Sequence, residues 1–515
     1  MRYLRFILCL VVLGLFCGCG GGGDSTSYYM PISTTDPGTD PGTDPETPPE
    51  TEYVTFYAYN FDLDRDYAVS ASLVAEGTNC YVYLQKDKVV DQATIDRVKD
   101  EFDTNIYPGV TGAFGSEPKP GIDGDGKVYI LLLDIQDGYT PGGSTGYIAG
   151  YFDPTNEYDT SVYRYSNEKE MFYMDIYPAT AGDADFNDTL AHEFQHMIHW
   201  EQKYHLQSLG DATWLNEAMS TVAGTYCGYG PSWYSVWAYE QDVSNSLTEW
   251  GSSWKDYGVV YMWAQYFKDR YPDPTYSSIF WRMMIEDSTG ISSVNAALAG
   301  AGYAKDFDAT FRDLSIAVAS GTSSWPEHPE WSYDEIETSG VHGGYTLPGL
   351  FPDSRLNVES LAALRPYSMN FYWYAPTTPP AGTVAWTRSN SYNFASFIND
   401  GASAVTFTMA SGSSYDYTVN GYLVEQQTGG ASATGGTVTY SSVVQNPSKL
   451  ADVELSTIVE TRVVKSPRQT LAEVNASPAL KRLTALRGKK YPIRMDSFFR
   501  EREQALRNTG ARPSF

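Results

Sequence analysis

The chain has 515 residues, with 35 Lys and Arg against 63 Asp and Glu, so its formal net charge is −28 at neutral pH. We expect no nucleic-acid partner, because binding a phosphate backbone requires a basic surface. The length accommodates a core domain and one or two further modules, and the 42% of hydrophobic residues predict that most of the chain folds.

Residues 1–19 have the pattern of a bacterial lipoprotein signal peptide. Two arginines precede the apolar residues 6–16, a stretch too short to span a bilayer but typical of a signal peptide. Gly18 then precedes Cys19, which we expect to be lipidated and to become the mature N-terminus. The alternatives are lipidation at Cys17 and an ordinary cleaved secretory signal. The pattern predicts a chain anchored by lipid in the bacterial cell envelope, outside the cytoplasm.

The composition of the next segments predicts a tether followed by a folded body. Residues 20–52 are rich in Pro, Gly, Asp and Thr, a composition that cannot bury apolar area, so we predict a disordered linker. The folded core is predicted to span residues 53–350. Its predicted strands are Val54–Ala58, Cys80–Gln85, Lys127–Leu133, Gly146–Phe152 and Met171–Tyr177. Its predicted helices are Asp91–Asn105, Asn187 or Asp188 to Tyr204, Thr213–Ala223, Val259–Arg270, Ser277–Glu286 and Phe307–Ala319.

The character of the chain changes after residue 350. In residues 351–465, short β-like runs alternate with Gly, Ser, Asn and Asp, which predicts a small all-β, sandwich-like module. The runs are Tyr367–Tyr374, Thr383–Arg388, Ala404–Met409, Tyr415–Val424 and Gly436–Val443, with a hairpin signal at Asn399-Asp400-Gly401. Residues 466–515 hold eleven Lys and Arg against four Asp and Glu, and we predict a basic helical tail exposed to solvent.

Two further features leave alternatives open. Cys80 and Cys227 are the only cysteines after residue 19, and in an exported chain they could form a disulfide or remain two buried thiols. The string Asp123-Gly124-Asp125-Gly126 has alternating carboxylates that could bind Ca²⁺. No Glu follows at the spacing of an EF-hand loop, so a polar turn before a strand is the preferred interpretation.

The string His192-Glu193-Phe194-Gln195-His196 has the spacing of a metal-binding helix. Two histidines four residues apart lie on one helix face, about 6 Å apart at Cβ, so both can bind one ion. Imidazole nitrogen suits Zn²⁺, and a catalytic zinc keeps one position open. Glu193, beside the first histidine, is placed to take a proton from the attacking water. The alternative is a helix that binds no metal, whose histidines pair with each other or with acidic side chains.

The third ligand determines the class of site. Gly and His at the seventh and tenth positions after His192 would complete one common pattern, but His199 and Gln202 occupy those places. The other solution is a glutamate on a second helix, and Glu217 follows His196 after twenty intervening residues. We therefore predict His192, His196 and Glu217 as the metal ligands. Thr221 stands where an Asp is expected to orient the first histidine, so that orienting partner is not identified.

These strings carry a resemblance to a known family. Leu190–Trp200 and Trp214–Ser220 resemble the hyicolysin family of bacterial metallopeptidases, and Glu168–Asp175 and Asp256–Tyr261 are also similar. The likeness runs from about residue 55 to about residue 375. It implies one catalytic Zn²⁺, endopeptidase hydrolysis of protein or peptide substrates, and a secreted or surface location. The fold class we expect is α+β, with a mixed sheet and two active-site helices in the metallopeptidase core, followed by the β-rich module.

Peptide hydrolysis also needs a donor that stabilises the oxyanion. Tyr257, just before Gly258, is the candidate, and Tyr226, Tyr261 and His342 are weaker choices. The alternative function is a catalytically inactive peptidase-fold surface lipoprotein used for binding or adhesion. The intact base Glu193 argues against that alternative, because a binding protein does not need it.

Overall fold

The computed structural model describes residues 51–141, 146–251, 253–322, 328–350, 366–373, 392–399, 414–427, 430–443, 491–494, 496–508 and 513. The predicted signal peptide, Cys19 and nearly all of the tether lie outside the described residues, as do the predicted strands Thr383–Arg388 and Ala404–Met409 and the last two residues of the hairpin signal. Within the described ranges, no helix is long and apolar enough to cross a membrane.

The described strands form three sheets. They are β1 (Val54–Asn60), β2 (Arg65–Glu76), β3 (Cys80–Gln85), β4 (Val128–Leu133), β5 (Gly146–Phe152), β6 (Met171–Asp175), β7 (Gly340–His342), β8 (Tyr345–Leu347), β9 (Ser368–Trp373), β10 (Tyr392–Asn399), β11 (Ser414–Gln427), β12 (Gly430–Val443) and β13 (Tyr491–Arg494). The main sheet has seven strands in the order β1-β2-β3-β4-β6-β5-β13. Its first three strands are antiparallel neighbours, while β3, β4 and β6 run parallel. Strand β5 is antiparallel to β6 and parallel to β13.

The described helices follow the first strands. They are α1 (Gln92–Glu101), α2 (Tyr107–Phe114), α3 (Ala184–His199), α4 (Thr213–Tyr226), α5 (Trp233–Glu240), α6 (Trp254–Arg270), α7 (Ile279–Ile285), α8 (Gly290–Gly300), α9 (Phe307–Ser320) and α10 (Asp496–Asn508). A π-helical turn, Phe102–Ile106, joins α1 to α2, and another, Trp200–His205, extends α3. A 3₁₀ turn, Pro154–Glu157, follows β5.

Both faces of the main sheet are buried at its centre. All six residues of β4 are buried, and successive side chains of a strand point to opposite faces. Ile130 belongs to the core that contains Phe194 of α3. Leu131 belongs to a second core with Tyr151 and Tyr173. A mixed sheet covered by helices, with β elements after it, confirms the predicted α+β class.

Two helices begin earlier than predicted because their caps precede the apolar repeat. Helix α3 begins at Ala184, where the Asp183 side chain accepts the N–H of Phe186 at 2.8 Å. Helix α6 begins at Trp254, after a capping box formed by Ser253 and Asp256. The sequence does not predict α5 and α8, since 8 and 11 residues give too few turns for a clear helical repeat.

The β-rich region contains one four-stranded antiparallel sheet among its described residues, in the order β12-β11-β10-β9. Strand β9 is tied to the helical body, because Met369 and Phe371 are buried in its core. The backbone N–H of Leu247 also donates to the carbonyl of Tyr367 at 2.8 Å. The boundaries of this module at residues 351 and 465 stay a prediction.

The expectation of a solvent-exposed tail is wrong for its described residues. Strand β13 joins the edge of the main sheet, and α10 packs beneath it. Phe499 is fully buried and stacks on Tyr151 with 4.7 Å between ring centroids. Arg502 pairs with Asp66 at 3.0 Å. The basic composition of the tail does not reveal that the buried Phe499 attaches it to the core. The positive charge of Arg502 pairs with a carboxylate of the acidic body.

Cys80 and Cys227 are both buried free thiols. Burial raises the pKa of the Cys80 thiol to about 12, and it has the same effect on Cys227. Neither thiol is therefore ionised at neutral pH. Of the two alternatives left open by the sequence, a disulfide or two buried thiols, the structure has the two buried thiols.

Replacing Phe499 with Ala should lower the free energy of unfolding by about 3–5 kcal/mol, because a buried ring is removed from the second core. Urea unfolding followed by intrinsic fluorescence measures this change. Gln504→Ala, on the exposed side of the same helix, should change the value by less than about 0.5 kcal/mol. Equal effects of the two substitutions would contradict a docked tail.

Candidate metal centre

Three donor atoms converge where α3 packs on α4. The Nε2 atoms of His192 and His196 are 2.9 Å apart. The Oε2 atom of Glu217 lies 3.7 Å from the first and 3.6 Å from the second. In the part of the chain that the structure describes, these are the three His, Cys, Asp or Glu residues whose ligand atoms all lie within 4.8 Å of one another.

The donor set fits a divalent metal. Zinc–ligand bonds of about 2.0–2.2 Å in a tetrahedron place neighbouring donors about 3.3–3.6 Å apart, close to the separations measured here. Two imidazoles and one carboxylate are a ligand set used by catalytic zinc sites. All three side chains are buried, and a cation would offset the cost of burying the Glu217 carboxylate.

Apolar packing around both helices determines where these donors lie. From Thr189 to His199 every residue of α3 is buried, as is every residue of α4 from Trp214 to Gly224. A helix that is buried all round is held on every side by neighbours. The polar residues of this region therefore face each other inside the core, and the i, i+4 spacing keeps the two imidazoles on one face.

Asn216 orients one histidine. Its Oδ1 atom lies 2.9 Å from Nδ1 of His196, and the Ser220 hydroxyl lies 3.0 Å from the same nitrogen. An amide oxygen accepts a hydrogen bond, so Nδ1 carries the proton and the lone pair of Nε2 faces Glu217. The Ser220 hydroxyl also contacts Oε1 of Gln195 and the carbonyl of Asn216.

The orienting role of Asn216 and Ser220 was not predicted from the sequence. The only signal is their position on α4, one residue before and three residues after Glu217. Thr221, at the expected Asp position, instead donates to the backbone carbonyls of Glu217 at 2.9 Å and Ala218 at 3.0 Å. Its hydroxyl satisfies its own helix, as Thr side chains in helices often do.

Glu193 contacts the end of a strand of the main sheet. Its Oε2 atom accepts the backbone N–H of Phe152, the last residue of β5, at 3.0 Å. The side chain is fully buried. The end of β5 therefore fixes the orientation of the predicted base. The two residues that make this contact are 41 positions apart in the sequence.

A buried contact between a histidine and an aspartate holds the connection between α3 and α4. Nε2 of His199 lies 3.2 Å from Oδ2 of Asp211, while Oδ1 accepts the N–H groups of Ala212 and Gly290. Burial alone would raise the pKa of Asp211, but these partners outweigh it and the pKa is lowered. His199 thus has a role in positioning this loop.

Tyr257 lies in the first turns of α6, half-buried, with its ring edge-on to Trp250 at 5.0 Å. Whereas the predicted helix begins at Val259, directly after Gly258, this glycine lies inside α6. A Cβ there would lie 2.4 Å from the backbone nitrogen of Tyr239, so glycine permits close contact between α5 and α6. The oxyanion role of Tyr257 stays a prediction.

The three weaker candidates for the oxyanion donor each contact a neighbouring backbone group or aromatic ring. The Tyr261 hydroxyl accepts the N–H of Ser232 at 2.8 Å, inside the core. Tyr226 lies beside Phe114 at the end of α4. His342 stacks on Trp233 with ring centroids 4.4 Å apart.

The turn at residues 123–126 uses its carboxylates locally. Asp125 accepts two backbone N–H groups and the Tyr81 hydroxyl. Asp123 accepts the Tyr129 hydroxyl and pairs with Lys169 at 3.1 Å. These contacts are those of a polar turn before a strand, which was the preferred interpretation of this string over a Ca²⁺-binding loop.

Asp211→Asn should destabilise the protein by about 2 kcal/mol at pH 7, because the charged hydrogen bonds to His199 are lost. Since folding lowers the pKa of Asp211, its contribution is present above the unfolded pKa of about 3.9 and disappears as the pH falls through the folded value. Urea unfolding between pH 7 and pH 3 should show the variant and wild type converging. Asp96→Asn, on the exposed face of α1, is the control, and a difference independent of pH would contradict the assignment.

No protein-family model matches the chain. A neutral metalloprotease, ShpI, from Staphylococcus hyicus is 33% identical to it over 227 residues, which are 41% of this chain and 50% of that protein. The chain therefore spans about half the length of this relative. The likeness supports a bacterial metallopeptidase family, and the buried His192–His196–Glu217 group supports a divalent metal.

Proposed function

We propose that the protein is a zinc-dependent metalloendopeptidase that hydrolyses peptide bonds of proteins. The observation that carries the proposal is the convergence of His192, His196 and Glu217, with Glu193 directly after His192 on α3. The similarity to a neutral metalloprotease supports it independently. The finer assignment to the hyicolysin family rests on the resemblance of the two motif strings.

The three ligands would hold Zn²⁺, and the remaining residues would perform the proton transfer. Zinc, when bound, polarises the scissile carbonyl and lowers the pKa of the attacking water. Glu193 accepts the proton of that water and delivers it to the leaving amine. The Phe152 N–H holds one oxygen of Glu193, so the base keeps its orientation in both steps. Tyr257 is the proposed donor to the oxyanion.

We also propose that this catalytic core works outside the cytoplasm, in the bacterial cell envelope. Support comes from the lipoprotein pattern that ends at Cys19. A core anchored at Cys19 would act on protein substrates near the membrane surface.

Glu193→Gln tests the catalytic proposal. The amide cannot accept the water proton, so kcat for casein or a fluorogenic peptide should fall about 10²–10⁴-fold while bound zinc is retained. Zinc content by mass spectrometry and activity are measured on the same samples. A chelator should abolish wild-type activity, and added zinc should restore it. Undiminished activity in zinc-loaded Glu193→Gln would refute the base assignment, and an inactive, zinc-loaded wild type would favour the binding or adhesion alternative.

Asn216→Leu tests the orienting contact. Loss of the acceptor for Nδ1 of His196 should weaken zinc binding about 10–100-fold, measured by competition with a chromophoric chelator. Thr221→Val is the matched control on the same helix, because its hydroxyl bonds only to carbonyls of α4. Equal zinc affinities for the two variants would contradict the role of Asn216.

A further inference from the structure

Strand β5 runs beside the helix that carries the proposed base. The N–H of Phe152, its last residue, donates to Glu193 at 3.0 Å. Two residues earlier, Gly150 lies against α3, where an added Cβ would be 3.1 Å from the side chain of Thr189. Of the strands in the main sheet, β5 therefore contacts α3 at the level of the candidate metal centre.

Among the described strands, β5 would end the main sheet if β13 were not paired with it. Its neighbours are β6 on one side and β13, from the C-terminal part of the chain, on the other. The uncovered edge of a sheet presents unpaired N–H and C=O groups, and an extended peptide can add to that edge as another strand. Without β13, the edge of β5 would offer such groups to the backbone of an extended peptide substrate.

The pairing of β13 with β5 is weak by itself. Strand β13 has four residues, runs parallel to β5, and its register shifts between Ile493 and Arg494. Pro492 has no N–H to donate, and parallel pairs are slightly less stable per residue than antiparallel ones. The last paired residue, Arg494, is opposite Gly150, two positions before Phe152. The strand therefore covers β5 without reaching the residue that contacts the base.

Helix α10 supplies the attachment that this short strand lacks. Phe499 is fully buried and stacks on Tyr151, a residue of β5. Arg502 pairs with Asp66 at 3.0 Å and with Asp153 at 3.4 Å. Because α10 is held by both apolar and charged contacts, it keeps β13 at a high effective concentration next to β5.

We propose that the C-terminal segment, which consists of β13 and α10, competes with peptide substrates for the edge of β5. Helix α10 stays docked, and a substrate pairs with β5 only when β13 leaves it. The segment thus lowers the apparent affinity for substrate by the fraction of molecules in which the edge is free. This inference rests on the proposed peptidase function and adds a regulator of the same site. In the opposite case, β13 belongs permanently to the sheet and substrates bind elsewhere.

A disulfide that holds β13 on β5 tests the proposal in the zinc-loaded full chain. Ile148 and Ile493 are directly paired, and neighbouring strands lie about 4.8 Å apart, within the range of Cα separations that a disulfide accepts. In the double variant Ile148→Cys and Ile493→Cys, oxidation should lower kcat/KM for a fluorogenic peptide about tenfold or more, because the edge is no longer released. Reduction with a phosphine should restore the activity.

The two single-cysteine variants, oxidised and reduced in the same way, are the controls for the cross-link. Their activity should not change, since Cys80 and Cys227 are buried. Mass spectrometry measures how much of the double variant is cross-linked. Equal kcat/KM in its cross-linked and reduced forms would overturn the proposal. A cross-link that does not form on oxidation would show that β13 is not held at β5, with the same consequence.

Arg502→Ala weakens the attachment of the segment. Loss of the pairs with Asp66 and Asp153 should free the edge more often and lower KM about 3–10-fold. The value of kcat should stay the same, because the segment does not contact the reacting groups. Gln504→Ala, on the exposed side of α10, should change neither constant. An unchanged or raised KM in folded Arg502→Ala would contradict the proposal, and the cross-link decides should this variant fail to fold.

The outcomes separate this inference from the proposed function. An active peptidase whose rate ignores the cross-link refutes the inference alone. A zinc-loaded chain that cleaves no peptide, either as wild type or as Arg502→Ala, refutes the peptidase function and the inference with it.

Discussion

The packing of α3 against α4 is the constraint on which the candidate site depends. It places the Glu217 carboxylate within 3.7 Å of both imidazole Nε2 atoms, and it brings Asn216 to the outer nitrogen of His196. Neither helix has a polar face directed to solvent over this stretch, because apolar neighbours bury both. The geometry of the donors is therefore as rigid as the core itself.

The sheet supplies the second constraint. The end of β5 donates its last N–H to Glu193, so the position of the predicted base depends on the register of a strand as well as on its own helix. The loop after α3 is held in turn by His199 and Asp211. Strand, helix and loop each fix a different side chain, and a shift in any of them would change the distances between the candidate catalytic groups.

Buried charge recurs throughout this body, and each instance has a compensating partner or needs one. Lys203 is fully buried and donates to the carbonyls of Glu286 and Ser288 at 2.6 and 2.9 Å, and burial lowers its pKa. The His192–His196–Glu217 group is a place where a divalent cation would stabilise buried imidazole and carboxylate groups. The docked helix α10 contributes Glu503, whose Oε1 accepts hydrogen bonds from Tyr158 and Trp200, so the C-terminal segment supplies one of these buried charges.

Local features could be predicted from the sequence: the α+β class, the strands Cys80–Gln85 and Gly146–Phe152 to the residue, and the spacing that puts His192 and His196 on one helix face. These follow from periodicity and capping, which act over a few residues. The contacts between distant groups could not be predicted and are seen only in the folded chain: the Phe152 N–H with Glu193, Asn216 with His196, and Phe499 with Tyr151. The folded chain also keeps Cys80 and Cys227 apart as thiols. Such contacts join residues separated by 20 to more than 300 positions, and no local pattern encodes a pairing that arises when separate elements bury their apolar faces together.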